Sequence, residues 1–382
     1  MRLPLDGLLV LDMAQFLSGP YAALRLGDLG ARVVKIERPD GGDLCRRLYL
    51  SDTEIGGDST LFHAINRNKE SFAADFKNAA DLERVRQLIR RADVMIQNFR
   101  PGIAARLGLG YDVVRRINPR IVYASITGYG ESGPWVALPG QDLLAQARSG
   151  VMWLNGDADQ GPVPFGLAVA DMLAGAVIVQ GVLACLVRRG TTGDGGHVET
   201  SLMEALVDLQ FEVLTTHLND GGRLPNRSGF RNANAYLAAP YGVYRTADGW
   251  LALAMTPLPK VAQLLEMDEL AAITADVGAG FTRRDEIKRM IAARLETAPT
   301  ARWLAVLQPA DVWCAEVLDW PHLLGSEGFG VLDLLQTVTR DDAVRIRTTR
   351  APLRVDGVRP TAEAAAPRIG QHTAALRQEF GL

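Results

Sequence analysis

Cysteine and histidine are scarce in this chain, three and five residues among 382. Cys45, Cys185 and Cys314 lie far apart and form no CxxC pair, which excludes a disulfide framework and a zinc site of paired thiols. The histidines are equally scattered, with no HxxxH pair, so no metal centre is expected. An excess of one charge is lacking too. With 41 Lys and Arg against 44 Asp and Glu the net charge is −3 and the sequence pI about 6.0, which speaks against nucleic acid or a membrane as partner. No apolar run near the start carries a basic flank and a cleavage site, since Leu8–Leu11 is too short. The longest apolar stretch, Met172 to Val187, is broken by Gly175, Gln180 and Gly181 and reads as core rather than a membrane span. A cytoplasmic protein is expected.

What is present is alternation. A chain of 382 residues is too long for one ordinary core, so two domains are expected. Leu8–Asp12 is apolar until its last residue, the pattern of a strand covered on both faces. Ser18-Gly19-Pro20 supplies a cap and an early proline for a helix running to about Leu29, and Val33–Glu37 follows as a second strand. Ser71–Phe76, Asp93–Gln97 and Arg120–Ile126 read as further strands, with helices at Ala79–Arg91 and Val113–Ile117 between them. This order implies a doubly wound, parallel, Rossmann-like sheet. Glu37 sits where a ribose-binding acid might be sought, but the first turn, Met13–Pro20, lacks GxGxxG, which disfavours a dinucleotide.

After Arg188 the chain runs through a Gly-rich loop, a short strand at His197–Thr200 and an apolar helix at Leu202–Leu218. Asn219–Asn234, rich in Gly, Asn and Arg, reads as a domain boundary. Tyr241–Thr246 and Trp250–Ala254 flank Ala247-Asp248-Gly249, a hairpin signal. Helices at Leu258–Leu265, Arg284–Thr297 and Ala301–Leu307 and a strand near Val312–Val317 complete a smaller α+β domain. Ala343–Arg347 and Pro352–Val355 look extended, Pro360–Pro367 reads as a linker, and Gln371–Phe380 as a last helix. The expected division is 1–219 for the large domain, 220–235 for the linker, 236–330 for the small domain and 331–382 for a return segment on the large domain.

The stretch Gly161–Asp171 followed by Met172–Leu186 draws attention because Asp171 is the only carboxylate at the mouth of a helix that reads as buried nearly all round. One reading is an N-cap, its carboxylate accepting the first free backbone N–H groups. The other is a nucleophile, held ionised by those same groups and the helix dipole beside a Gly/Pro-rich loop that admits a ligand. The two do not exclude each other.

The order of signals resembles a known family. Pro4–Asp12, Ser18-Gly19-Pro20, Leu29–Glu37, Ala92–Gly102, Asn118–Gly130, Gly166–Ala176 and Gly370–Thr373 together resemble the family III (CaiB/BaiF) CoA-transferases, among them formyl-CoA transferase and carnitine CoA-transferase, with alpha-methylacyl-CoA racemase as a relative. The resemblance implies an α/β domain with a smaller α+β domain, two subunits interlocked as rings, and Asp171 as nucleophile. It implies an acyl-CoA and a small carboxylic acid as substrates, exchanged through an aspartyl anhydride and an aspartyl-CoA thioester. No tightly bound cofactor is implied. For CoA it points to Arg38, Phe76, Lys77, Asn98, Phe99 and Arg106, and near the nucleophile to Gln15, Gly140 and Gln141; Tyr129 and Arg231 are side chains suited to hold the second charge of a dicarboxylate acceptor. Arg and Lys suit phosphates, and a guanidinium stacks on adenine.

Three positions depart from relatives. Gln141 stands where the racemase has a proton-exchanging histidine and cannot do that work near neutral pH, which disfavours an isomerase. Leu17 stands where formyl-CoA transferase has glutamine, with Gln15 two residues earlier. Asn232–Pro240 lacks that enzyme's glycine-rich lid. A racemase-like isomerase and a non-catalytic CoA-binding protein stay as alternatives.

Overall fold

A computed structural model describes residues 2–50, 52–340 and 344–382. The chain divides into two units: 1–145 with 168–209 and 332–382, and 146–167 with 210–331. The division therefore falls at 209/210 and 331/332 rather than inside 220–235, and the second unit also takes up a loop from the 1–219 stretch.

The first unit is built on six strands, β1 (Leu9–Asp12), β2 (Arg32–Glu37), β3 (Glu70–Ala73), β4 (Val94–Gln97), β5 (Val122–Thr127) and β6 (Gly196–Ser201). They pair in the order β3-β2-β1-β4-β5-β6, all in parallel. This is the doubly wound order whose direction of winding reverses between β1 and β4, and ligands of such sheets bind outside the carboxyl ends at that reversal. Alternate strand residues serve opposite faces. Val10, Val33, Val94 and Val122 face α1 (Ser18–Asp28) and α2 (Val169–Thr192), whereas Leu11, Val34, Met95 and Tyr123 face the helices Ala79–Arg91, Tyr111–Ile117 and Thr373–Phe380. Covering both faces explains why these strands read as unbroken apolar runs.

Several local expectations change. Ser18 is the first residue of α1 rather than its cap, and Leu17 holds the cap position without a side-chain bond. Asp171 is the third residue of α2, not its cap, which is Ala168. Nor is α2 buried all round, because Met172, Gln180, Ala184 and Val187 are exposed on this chain. Its 24 residues are also long and apolar enough, by length and composition, to cross a membrane, which the sequence reading denied. Here it lies against α1, β5 and β6. Close contact with α1 requires Gly175, since a Cβ there would stand 2.7 Å from the Ser18 carbonyl oxygen.

Pro360–Pro367 is not a free linker. Ala365 and Ala366 are buried, Thr339 bridges Ala364, and Pro367 O accepts from Arg46. The return segment contributes a hairpin of Leu335–Arg340 and Val344–Thr349. Ala343, part of an expected extended stretch, lies outside the described residues, and Pro352–Val355 forms no strand beyond a single bridge from Val355 to Val358. The apolar segment Leu202–Leu218 breaks at Gln210 into two helices, Leu202–Leu209 and Phe211–Asn219.

The second unit carries the expected hairpin, Gly242–Arg245 with Trp250–Leu253, extended by Cys314–Glu316 into three antiparallel strands. Helices Leu258–Leu264, Arg284–Leu295 and Thr300–Leu307 close its core around Tyr244, Leu251, Ile287 and Trp303.

Candidate active site

The loops leaving β1 and β4 meet at the winding reversal. Asn98 is the clasp: its Oδ1 accepts the Gln15 N–H at 2.8 Å and its Nδ2 donates to the Gln15 carbonyl at 2.7 Å. Gly19 is needed for this turn, because a Cβ there would lie 2.2 Å from that of Ala14. Beside the clasp opens a cavity of about 230 Å³ bordered by Gln15, Arg38, Phe76, Lys77, Phe99 and Leu107. The Phe76 and Phe99 rings meet edge to face at 6.3 Å, which makes one wall aromatic. Arg38 and Lys77 are exposed, so their charges are free to meet an anion without a desolvation cost.

At the far end of the β1 loop stands Asp171. Residues four apart share a helix face, so Asp171 and Gly175 look the same way. The approach of α1 that Gly175 permits brings Ser18 beside the carboxylate, where its hydroxyl and backbone N–H favour the ionised form. Asn98 Nδ2 reaches the same hydroxyl at 3.4 Å. The work expected of Asp171 as a cap falls to Asp142, 29 residues earlier, whose Oδ2 accepts the N–H groups of Ala170 at 2.8 Å and Asp171 at 3.1 Å. Burial, and then the charge of Asp142, push the Asp171 carboxyl up to about 6, against which the two Ser18 groups pull down. The side chain is therefore a half-buried carboxylate that is charged at neutral pH and weakly solvated, a good state for a nucleophile.

The fold thus gathers Gln15, Arg38, Phe76, Lys77 and Phe99 around one cavity, with Asn98 behind it as the clasp. Arg106 is exposed at the end of the short helix Ile103–Arg106, and its neighbour Leu107 reaches the cavity instead. Tyr129 borders a separate polar cavity of about 370 Å³ with Glu131, Glu199 and Glu204, its ring edge on Trp135. Gly140 crosses Gly128 so closely that a Cβ on either would lie 2.5 Å from the other's Cα. Gln141 accepts the Leu143 N–H at the start of the helix Asp142–Ser149. Arg231 belongs to the second unit, where its guanidinium stacks 4.7 Å over the Trp250 ring. Gly166, shortly before Asp171 in sequence, has open space around it.

Sequence reasoning missed the buried charges beneath the cavity. Asp12 bonds Lys69 at 2.8 Å and lies 3.7 Å from Lys35, which pairs with Asp43 at 2.8 Å. Next to them Glu37 binds Arg46 at 2.6 Å, Arg46 binds Asp58 at 2.8 Å, and Asp58 binds Arg340 at 2.8 Å. Glu37 is thereby committed within the protein, which removes it as a ribose ligand. The available signal was Lys35 itself, a charge set among Val33, Val34 and Ile36 in a strand covered on both sides. For Asp142 the signal was an Asp opening a helix after Gly140.

Comparison with known proteins identifies the family. Residues 5–373 match CoA-transferase family III. Succinate–glutarate CoA-transferase of Agrobacterium fabrum is 31% identical over 389 residues, covering 99% of this chain and 96% of that protein. Acetyl-CoA:oxalate CoA-transferase of Acetobacter aceti is 31% identical over 388 residues, with the same 99% and 96% coverage. The crystal structure of a CaiB/BaiF family protein from Brucella suis superposes with a TM-score of 0.85 at 29% identity over 100% of both chains. Matched along nearly its whole length in sequence and fold, this chain belongs to CoA-transferase family III and is a CoA-transferase.

Proposed function

We propose that the enzyme exchanges CoA between small organic acids, with Asp171 as the covalent relay. The observation that carries this reading is the β1 loop, which borders the cavity with Gln15 and, three residues later, packs Ser18 on the helix turn that carries Asp171. In the first step the carboxylate attacks the thioester carbonyl, giving an acyl-aspartyl anhydride and CoA thiolate. The thiolate then attacks the aspartyl carbonyl, freeing the donor acid and leaving an aspartyl-CoA thioester. The incoming carboxylate displaces the thiolate to form a second anhydride, whose acyl carbonyl the thiolate attacks, releasing the new acyl-CoA and restoring Asp171. Thioester and anhydride exchange carboxylate for thiolate at each stage, so no proton need move.

Arg38 and Lys77 suit the phosphates of CoA, and the Phe76–Phe99 wall its adenine or pantetheine arm. Relatives are named for succinate, glutarate and oxalate, which supports a small dicarboxylate as acceptor. The exposed apolar side chains Val187, Phe211 and Leu218, each more than two-thirds accessible on a single chain, favour a second copy as cover, in line with an interlaced homodimer. The direct test is mass spectrometry of enzyme incubated with succinyl-CoA: a CoA adduct on the peptide holding Asp171 is expected, and turnover with that peptide unmodified throughout would overturn the relay.

Two further results are expected. Lys77→Ala raises the KM for the CoA thioester about three- to tenfold, the worth of one phosphate contact, and leaves the KM of the free acid alone; initial rates against each substrate check it. Asp142→Asn keeps an acceptor for the Ala170 and Asp171 N–H groups but removes the charge. Because the Asp171 carboxyl is raised from 3.8 to about 6, the wild-type rate falls as pH drops through about 6. In Asp142→Asn that acidic limb shifts downward by up to about one unit, as a kcat/KM profile from pH 4.5 to 8 will show.

A further inference from the structure

Phe16 has φ of +62°, a left-handed conformation that a bulky side chain rarely adopts. Five backbone groups of three successive residues are each held by a side chain, one from Asp12 just before the loop and four from residues distant in sequence. Asp12 Oδ1 accepts the Ala14 N–H at 3.1 Å, Lys35 Nζ donates to the Ala14 carbonyl at 2.9 Å, Asn98 holds both groups of Gln15, and Asp43 Oδ1 accepts the Phe16 N–H at 3.1 Å. Asp43 is 1% exposed and its other oxygen meets Lys35, so this anchor is itself fixed by a buried ion pair. The left-handed step lies between Gln15, which borders the cavity, and Ser18, which packs against α2 at Gly175, one turn from Asp171. Relaxing it to an ordinary φ would swing one relative to the other.

We propose that Asp43 is a positioning residue for CoA transfer: by clamping Phe16 in the left-handed conformation it sets the spacing between the thioester bordered by Gln15 and the nucleophile beside Ser18. This rests on the aspartyl relay proposed above. Displacement of a reacting group by about 1 Å costs up to about a hundredfold in rate, so the clamp acts on kcat while Arg38 and Lys77 keep the thioester bound.

The test measures kcat, KM and thermal midpoint for wild type, Asp43→Ala, Phe16→Val, Phe16→Gly and the double variant Asp43→Ala/Phe16→Gly. Glycine takes positive φ unaided and valine resists it. Asp43→Ala and Phe16→Val are expected to lower kcat about tenfold or more, with KM for acyl-CoA within about threefold. In the glycine background Asp43→Ala is expected to cost less than about threefold in kcat, a rescue that a purely structural role for Asp43 does not give. Equal losses in the two backgrounds, or wild-type kcat in Phe16→Val, would overturn the proposal. Should Asp43→Ala fail to fold, the residue 16 series decides alone. The Asp171 adduct in wild type separates the two levels: without it both readings fall, whereas an intact adduct with uncoupled variants removes only this one.

Discussion

Asp171→Ala and Asp171→Asn are expected to lower CoA transfer by on the order of 10³- to 10⁶-fold, the range seen when a covalent nucleophile is removed. The loss should fall on kcat, because the cavity that Gln15, Phe76 and Phe99 border is untouched and acyl-CoA still binds. A second result tells the nucleophile from a structural carboxylate. The Asp171 carboxyl is raised in the folded protein from 3.8 to about 6, so its ionisation opposes folding. Below pH 3.8 both states hold the proton and the penalty is absent, and above about 6 it is present in full. Asp171→Asn, which keeps an acceptor for Ser18, is therefore expected to unfold at a higher temperature than wild type at pH 8 and at the same temperature near pH 4. A merely capping Asp would show the opposite, with stability lost on substitution. Thermal melts at the two pH values, run beside the activity assay, supply both readings.

Asp12→Ala is expected to cost about 3–5 kcal/mol of folding stability, the usual result of breaking a buried ion pair by removing one partner. Lys35 and Lys69 are 0% and 3% exposed, and both lean on this one carboxylate. Lys69 keeps only the Pro20 carbonyl and the Asn66 amide oxygen when Asp12 is gone. It is already held down at about 8 by its burial, and without Asp12 it folds neutral or drags a bare charge inside. Despite its own burial, Asp12 is lowered below 3.8 by the two lysines. Its contribution is thus complete above pH 3.8 and lost as pH falls through that lowered value, so the gap between wild type and variant closes in strong acid. Urea unfolding at pH 7 and at low pH measures both. Asp12 also bonds the Ala14 N–H, so a fall in kcat of the folded variant accompanies the fall in stability.

Much of the sheet was legible because its physics is local. Apolar runs bounded by turn residues placed all the strands of the parallel layer within two or three residues, and the amphipathic pattern placed the helix Ala79–Arg91 at its observed bounds. The hairpin around Ala247-Asp248-Gly249 was legible for the same reason. Less was legible where partners are distant in sequence. The cap reading of Asp171, held beside the nucleophile reading, failed because nothing in its own neighbourhood points to Asp142. The buried pairs of Lys35, Lys69 and Arg46 read as ordinary charges, since a lysine's burial depends on what folds over it. Pro360–Pro367 read as a linker because alanine and proline look alike in a free tether and in a packed strap. Of the candidate site, the residues on loops that follow strands of the sheet, Gln15, Arg38, Phe76, Lys77 and Phe99, do share a cavity, as the winding reversal dictates. Tyr129, chosen to hold an acceptor's second charge, belongs to a different one.

The bond from Arg340 to Asp58 spans 282 positions, and the helix Thr373–Phe380 covers a sheet face made near the beginning of the chain. During synthesis the ribosome delivers β1 to β6 first, the whole of 210–331 next, and the cover for that face last. At roughly 5–20 residues per second, the part of that face beside β3, around Phe72, stays open on the order of ten seconds while the intervening unit emerges and folds. The nascent chain is thus expected to expose the β3 edge of its sheet until the last residues leave the ribosome.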